Sequence, residues 1–337
     1  WSQIKVLGTN TYLFSVTIYD EKGRPIQVQS TNITGSIDVA TTQYSWAGQP
    51  LVIVQKQEIQ NSSNAQISVV VTQMTYDYLA RVIKTEKKVS NTLVNSNAMP
   101  AYKIIAQNEY DKIGQLKKKT LGSSNLETLN YDYNIRGWVL GMNRGYLATT
   151  GQGGPNRFGF ELSYDKNSSS CRRFFGGTEY NGNIAGMIWK SDGDDVIRKY
   201  DFKYDPVNRL LKGQFEQDDA NAAWNSTTMN YAMQMGDGID PITAYDYNGN
   251  IKAMTQFGWK LGAASTSPID NLTYKMITGT NRLELVTDAS NDYQSKLGDF
   301  KYDPNTKTSI DYVYDLNGNL TVDNNKKISS ISYNHLN

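Results

Sequence analysis

Cysteine, histidine, net charge and long apolar runs are nearly absent from this 337-residue chain. A single cysteine, Cys171, excludes an internal disulfide and a cysteine-based zinc site. It leaves the redox compartment open, because exported bacterial proteins also manage without disulfides. The sole histidine, His335, excludes a pair of imidazole metal ligands and is the one candidate base for a serine–histidine–aspartate triad. Its setting, "YNHLN", reads instead as a turn in a repeated unit. No apolar run approaches the roughly 20 residues of a membrane span. With 34 basic and 33 acidic residues the net charge is +1, which excludes the basic surplus of a nucleic-acid footprint. The densest basic run, Lys117-Lys118-Lys119, reads as a solvated strand end. The chain opens on "WSQIKV" and stops within "SYNHLN", so a piece of a longer polypeptide is expected.

Tyrosine, by contrast, is plentiful at 23 residues, while the mean hydropathy is only -0.56. Abundant aromatic and β-branched residues argue against disorder. Low hydropathy argues against a thick aliphatic core. A sheet with at least one wet face satisfies both.

The tyrosines fall in recurrent words. "YDEKGRPI" starts at Tyr19, "YDKIGQL" at Tyr110, "YDPVNRL" at Tyr204, "YDYNGNI" at Tyr245 and "YDLNGNL" at Tyr314. In the last, Ile310, Tyr312 and Tyr314 alternate with Asp311 and Val313, the period of a strand. Asp315 is placed to accept a backbone N–H two residues on, and Gly318 supplies positive φ for a reversal. Leu320 and Val322 begin a returning strand, so the unit is a β-hairpin. The same roles fall to Asp20 and Gly23, Asp111 and Gly114, Asp246 and Gly249. Asp205 pairs with Asn208, a glycine substitute that left-handed geometry allows. Looser copies lack one letter: Ala80 stands for glycine, and the word around Tyr44 has no aspartate.

Anchor tyrosines at 19, 44, 76, 110, 131, 180, 204, 245, 274, 314 and 333 imply a repeat array with inserted polar loops, notably at 149–156 and 218–228. No stretch carries a capped helical period, so an all-β chain is expected. Isolated hairpins are marginal, so neighbours must pair edge to edge. Equivalent tyrosines are then expected to stack across strands. Residues 1–130 carry looser hairpins and 131–337 better-defined ones, expected to be continuous with the first.

The Tyr-Asp-x-x-Gly-Arg/Asn-Leu/Ile pattern resembles the RHS, or YD-repeat, family. "YDYNIRGWVLGMN" (131–143), "NRFGFELSYD" (156–165), "YNGNIAGMIWK" (180–190) and "YDPVNRLLKG" (204–213) look like the versions in Bacteroidetes proteins of this kind. The resemblance implies a spiralling antiparallel sheet forming part of a hollow shell. In related ABC toxins and polymorphic toxins such a shell surrounds a C-terminal toxin, and teneurins use a similar one in adhesion. It implies a bacterial protein that is secreted or at the cell surface. The family's core region with its aspartyl self-cleavage site is not among these residues, so neither cleavage nor toxicity is assigned.

Other chemistry fits poorly. "DLNGNLTVDNNK" from Asp315 starts like a calcium loop but has Leu320 at position six and Lys326 at position twelve. Asp192, Asp194 and Asp195 read as a solvated hairpin tip rather than a calcium site. "GQGGPNRFG" lacks the lysine of a phosphate loop. Among 33 acids no pair is nominated for glycoside hydrolysis. The expectation is therefore a non-enzymatic shell segment with no catalytic residue, cofactor or metal. Its partner would be the C-terminal region of the same polypeptide, an enclosed effector. The alternative is a surface adhesin that binds glycan or protein through exposed aromatics.

Overall fold

The computed structural model describes residues 1–149, 156–218, 223–260 and 262–334. The fold is all-β and antiparallel, 46% strand and 2% helix. His335, the centre of the glycine-rich stretch and part of the loop 218–228 lie outside the described residues. The chain divides into two compact units, Trp1–Asp132 and Tyr133–Asn337.

The first unit is a meander. Its strands are β1 (Ser2–Lys5), β2 (Tyr12–Tyr19), β3 (Pro25–Thr31), β4 (Ile37–Tyr44) and β5 (Pro50–Ile59). There follow β6 (Gln66–Tyr76), β7 (Val82–Asn91), β8 (Lys103–Tyr110), β9 (Leu116–Leu121) and β10 (Glu127–Tyr133), the last running to the boundary. Each pairs antiparallel with the next in sequence. Valine, isoleucine and threonine suit this pleated surface, but the register puts them on both faces. Val54 and Val71 face each other on one side, while Ile53 and Thr72 do so on the other. Neither face is continuously apolar. Val71 is the only buried apolar residue of this unit. It is a single-layer sheet, wet on both sides, without a packed core.

The second unit has a ladder and two small cores. Strands β11 (Val139–Met142), β12 (Phe158–Ser163), β13 (Gly186–Ser191), β14 (Arg198–Tyr204) and β15 (Leu210–Asp218) pair in that order. Along its length β15 then meets both β16 (Trp224–Asn225) and β17 (Met233–Met235). From β17 the ladder continues through β18 (Ala253–Gly258), β19 (Ser267–Met276) and β20 (Leu283–Asp288). A separate hairpin joins β21 (Tyr312–Tyr314) to β22 (Leu320–Asp323). One core gathers Leu147, Cys171, Phe175 and Ile188 under the one-turn helix α1 (Arg144–Leu147). The other gathers Leu211, Met235, Ala244 and Tyr245 beside α2 (Pro241–Ala244), which Asp240 caps by accepting the Ile242 amide. Both cores form where long connections fold back over the ladder.

A β-bulge precedes five of the tyrosine–aspartate turns, shifting register just before Tyr19, Tyr76, Tyr110, Tyr204 and Tyr314. This matches a type I turn closed by a left-handed residue, the usual three-residue hairpin loop. Gly318 holds φ 88° there, and Ala80 is forced to 66° in the same role. Left-handed backbone costs an L-residue about 1–2 kcal/mol, partly offset by the greater entropy glycine loses on folding. Ala80→Gly is therefore expected to stabilise the first unit by up to about 1 kcal/mol, read as a higher urea midpoint. An unchanged or lower midpoint would show that the strain is absent.

Candidate functional site: the stapled turns

The repeated turns share one hydrogen-bond pattern, built on an aspartate used to capacity. At Asp20, Oδ1 accepts the amides of both Lys22 and Arg24 at 2.9 Å, while Oδ2 accepts Arg24 Nε at 2.6 Å. Backbone bonds close the same turn, from Gly23 N–H to Asp20 C=O and from Asp20 N–H to Arg24 C=O. Asp77 repeats this with Leu79 and Arg81, and Asp205 with Val207 and Arg209. Asp111 receives the amides of Ile113 and Gln115. In Asp246 and Asp315 an asparagine side chain, Asn250 or Asn319, replaces the arginine.

These contacts favour the ionised carboxylate. Asp20 and Asp77 are held below the ordinary range, first by the amide of the following arginine. Asp315 is lowered first by the Asn319 amide, and Asp246 first by the Asn250 side chain. At Asp205, burial pushes upward, but the Arg209 amide and guanidinium outweigh it.

The tyrosine before the aspartate ties its turn to the previous one. Its hydroxyl donates to a carbonyl just past the preceding turn: Tyr44 to Pro25 (3.1 Å), Tyr76 to Pro50 (2.7 Å) and Tyr110 to Val82 (3.0 Å). In the second unit Tyr164 reaches Val139, Tyr204 reaches Ile184, and Tyr245 reaches Leu210. Tyr314 reaches Leu283 and Tyr333 reaches Leu320. The preceding turn's arginine lies over the same ring, Arg24 over Tyr44, Arg81 over Tyr110 and Arg209 over Tyr245, at 4.4–4.9 Å from the centroid. Arg24 Nη1 also donates to Ser45 C=O in the next turn. One arginine thus satisfies its own aspartate, covers the next tyrosine and, at Arg24, caps the next turn. Tyr19 follows the β1–β2 connection rather than a turn of this kind, and it is exposed.

This corrects the expected tyrosine stacking. Successive anchors stand two strands apart, roughly 10 Å, beyond the 4.5–7 Å of a ring pair. A hydroxyl and a guanidinium bridge what rings cannot. Aromatic stacking occurs elsewhere, in the group of Trp189, Tyr200, Phe202 and Phe215. Three anchors also move. Tyr133 and Asn134, not Tyr131, head their turn, with Asn134 Oδ1 accepting the Arg136 and Trp138 amides. Tyr164 is stapled while Tyr180 is exposed. The bulge after Tyr274 falls at Met276.

Several parts of the pattern lie outside the tyrosine–aspartate words. Ser45 does the aspartate's work with a hydroxyl that accepts the Gln49 amide. Asn32 closes the β3–β4 turn by the same contacts, accepting the amides of Thr34 and Ser36. Tyr302-Asp303 is a further copy, its carboxylate accepting the Asn305 amide. The signal was present in each case: an acceptor side chain followed at three or four residues by glycine, or Tyr-Asp-Pro as at Tyr204.

Some acids outside the turns are also occupied. Asp192, Asp194 and Asp195 pair with Arg157, Arg198 and Lys190, so the expected solvated tip is a set of ion pairs. A cavity of about 470 Å³ is lined by Trp138, Tyr164, Arg144 and Glu161 among others. Glu161 Oε1 accepts Arg144, and Oε2 accepts the Ser170 amide and hydroxyl. A carboxylate so engaged is poorly placed to take a substrate proton. Asp270 is raised, first by burial and then by the Asp288 and Asp299 charges. Among the described residues no group of three or more histidine, cysteine, aspartate or glutamate side chains is arranged to hold a metal.

No family model and no curated protein matches the chain. Solved structures that match include TcdB2-TccC3-TEV, at 14% identity and TM-score 0.36 over 82% of this chain. TcdB2-TccC3 without its hypervariable C-terminal region gives 16% identity and TM-score 0.44 over 91%. The Tc holotoxin pore of Photorhabdus luminescens carrying the TccC3 D651A mutation gives 14% and 0.26, also over 91%. The chain spans only 15–18% of those chains.

The staples make alkali the sensitive direction. Burial raises Tyr76, Tyr164, Tyr204, Tyr245 and Tyr314 above the tyrosine value of 10.0. The folded protein therefore keeps phenolic protons that the unfolded chain releases, so their contribution is complete below pH 10 and is lost as pH rises through the folded values. Tyrosinate absorbance and loss of β-sheet circular dichroism are expected to rise together above pH 10. Titration of these tyrosines with the sheet intact would contradict the staple. Tyr245→Phe, which loses the hydroxyl alone, is expected to cost about 1 kcal/mol at neutral pH.

Proposed function

We propose that this chain is a non-enzymatic wall segment of an RHS-type shell, secreted or displayed by a bacterium, which encloses or presents the C-terminal region of its own polypeptide. One observation carries the reading: the first unit is a sheet one layer thick, wet on both faces, with Val71 as its only buried apolar side chain. A compact domain buries one face of such a sheet against a second layer. A wall between two aqueous spaces has no need to. The turn acids fit the same role, because they are bound by their own turns rather than presented to a substrate. Limited proteolysis of the complete polypeptide tests this. The segment downstream of residue 337 is expected to resist protease until denaturant melts the sheet. Immediate digestion with the sheet intact, or the lack of any downstream segment, would remove the enclosing role.

A second reading rests on the turn tips. Trp46 is 88% exposed, Tyr78 92%, and Tyr247 fully so, each at the apex of a hairpin. Flat aromatic faces with polar edges suit sugars, which supports a surface adhesin. A glycan array probed with the protein is expected, on this reading, to give binding that Trp46→Ala and Tyr78→Ala abolish. Signals unaffected by either change would dismiss it.

A further inference from the structure

Three lysines of the second unit are largely buried. Lys190 pairs with Asp195, and Lys199 with Asp201 and Glu216. Lys307 is different, because a carboxamide shares its pocket. Its Nζ lies 2.7 and 2.6 Å from the two oxygens of Asp311 and 2.9 Å from Asn325 Oδ1. It also donates to the Val286 carbonyl and stands 4.2 Å from the centre of the Tyr302 ring. The Asp311 side chain is 0% exposed and that of Lys307 14%. Asp311 is fixed further by the Val286 amide, and Asn325 Nδ2 lies 3.4 Å from the Tyr312 hydroxyl.

An amine, a carboxamide carbonyl and a buried carboxylate held within hydrogen-bond reach are the parts needed for amide exchange. We propose that Lys307 and Asn325 join in an intramolecular isopeptide bond, with Asp311 as the proton carrier. Asp311 takes a proton from the Lys307 ammonium, freeing the lone pair on Nζ. The amine attacks Asn325 Cγ, and the carbonyl electrons move onto Oδ1. As the tetrahedral adduct collapses, Asp311 passes its proton to Nδ2 and takes a second one from Nζ, the Cγ–Nδ2 bond breaks, and the nitrogen leaves as ammonia. One C–N bond replaces another, ammonia is the only product released, and nothing is oxidised or reduced. Fixed geometry replaces a bimolecular encounter.

The location gives the bond a use. The β21–β22 hairpin stands outside the main ladder, held to β20 by Asp311 N–H to Glu284 C=O and Tyr314 Oη to Leu283 C=O. A link from Lys307 to Asn325 closes a covalent ring around it.

Mass spectrometry of the folded protein decides the matter. The expected result is an intact mass lower by one ammonia and, after digestion, a branched peptide joining Lys307 to Asn325. Asn325→Ala and Lys307→Arg each restore the full mass expected for the variant. Asp311→Asn does so too, and because it disturbs a buried ion pair, Lys307→Arg, which keeps the cation, is the control for misfolding. A folded protein that stays at full mass on prolonged incubation overturns the proposal. So does ammonia loss that yields only linear peptides, the signature of succinimide formation at Asn325.

Discussion

The sheet depends on a junction at which one carboxylate, one guanidinium and one phenol complete each other. Asp20 closes its turn, Arg24 neutralises Asp20 and covers Tyr44, and Tyr44 donates to Pro25 C=O. A net hydrogen bond contributes only about 1 kcal/mol, somewhat more where a charge takes part. The junction matters because it recurs along the ladder and joins consecutive hairpins rather than closing each alone. In a sheet with almost no buried apolar side chain, cohesion must come from the backbone ladder and from such repeated polar ties. The half-buried position of the junctions strengthens them, since a carboxylate screened from water by an arginine and a tyrosine ring feels a lower dielectric than an exposed pair.

Much of this was legible in the sequence because turn chemistry is local. Asp315, Gly318 and the alternation through Tyr312 and Tyr314 specify a hairpin without reference to the rest of the chain. The staple was not legible, because it joins residues 13 to 35 positions apart and depends on register. Arg24, Arg81 and Arg209 read as ordinary polar letters after the left-handed residue of the turn, and only the fold shows that each serves two turns. Ser45 and Asn32 were missed for a different reason. The motif was read as letters, whereas the turn requires a short side-chain acceptor, and a hydroxyl or carboxamide supplies one. Tyr180 was misplaced because an exposed tyrosine before Asn-Gly resembles the word, while the backbone gives its role to Tyr164.

The two units use different devices for the same problem. Where connections are short, as between β2 and β7, the ladder stays one layer thick. Where they lengthen, the extra chain folds over the sheet and makes the small cores around Ile188 and Leu211. Such folding also buries charge, and each buried lysine there has a carboxylate partner, because an unpaired ammonium in that setting is strongly disfavoured.

The occupancy of the turn aspartates suits architecture rather than catalysis. A working acid or base needs a proton affinity near the ambient pH and an oxygen aimed at a substrate. Asp20, Asp77 and Asp315 have neither: neighbouring amides hold them ionised, and both carboxylate oxygens are engaged within the turn. Asp311 marks the boundary of that rule. It is as fully bonded as the others, yet its partners are an amine that can surrender a proton and a carboxamide within reach. The same arrangement that makes most of these carboxylates inert as catalysts makes this one a candidate carrier for a single, self-directed reaction.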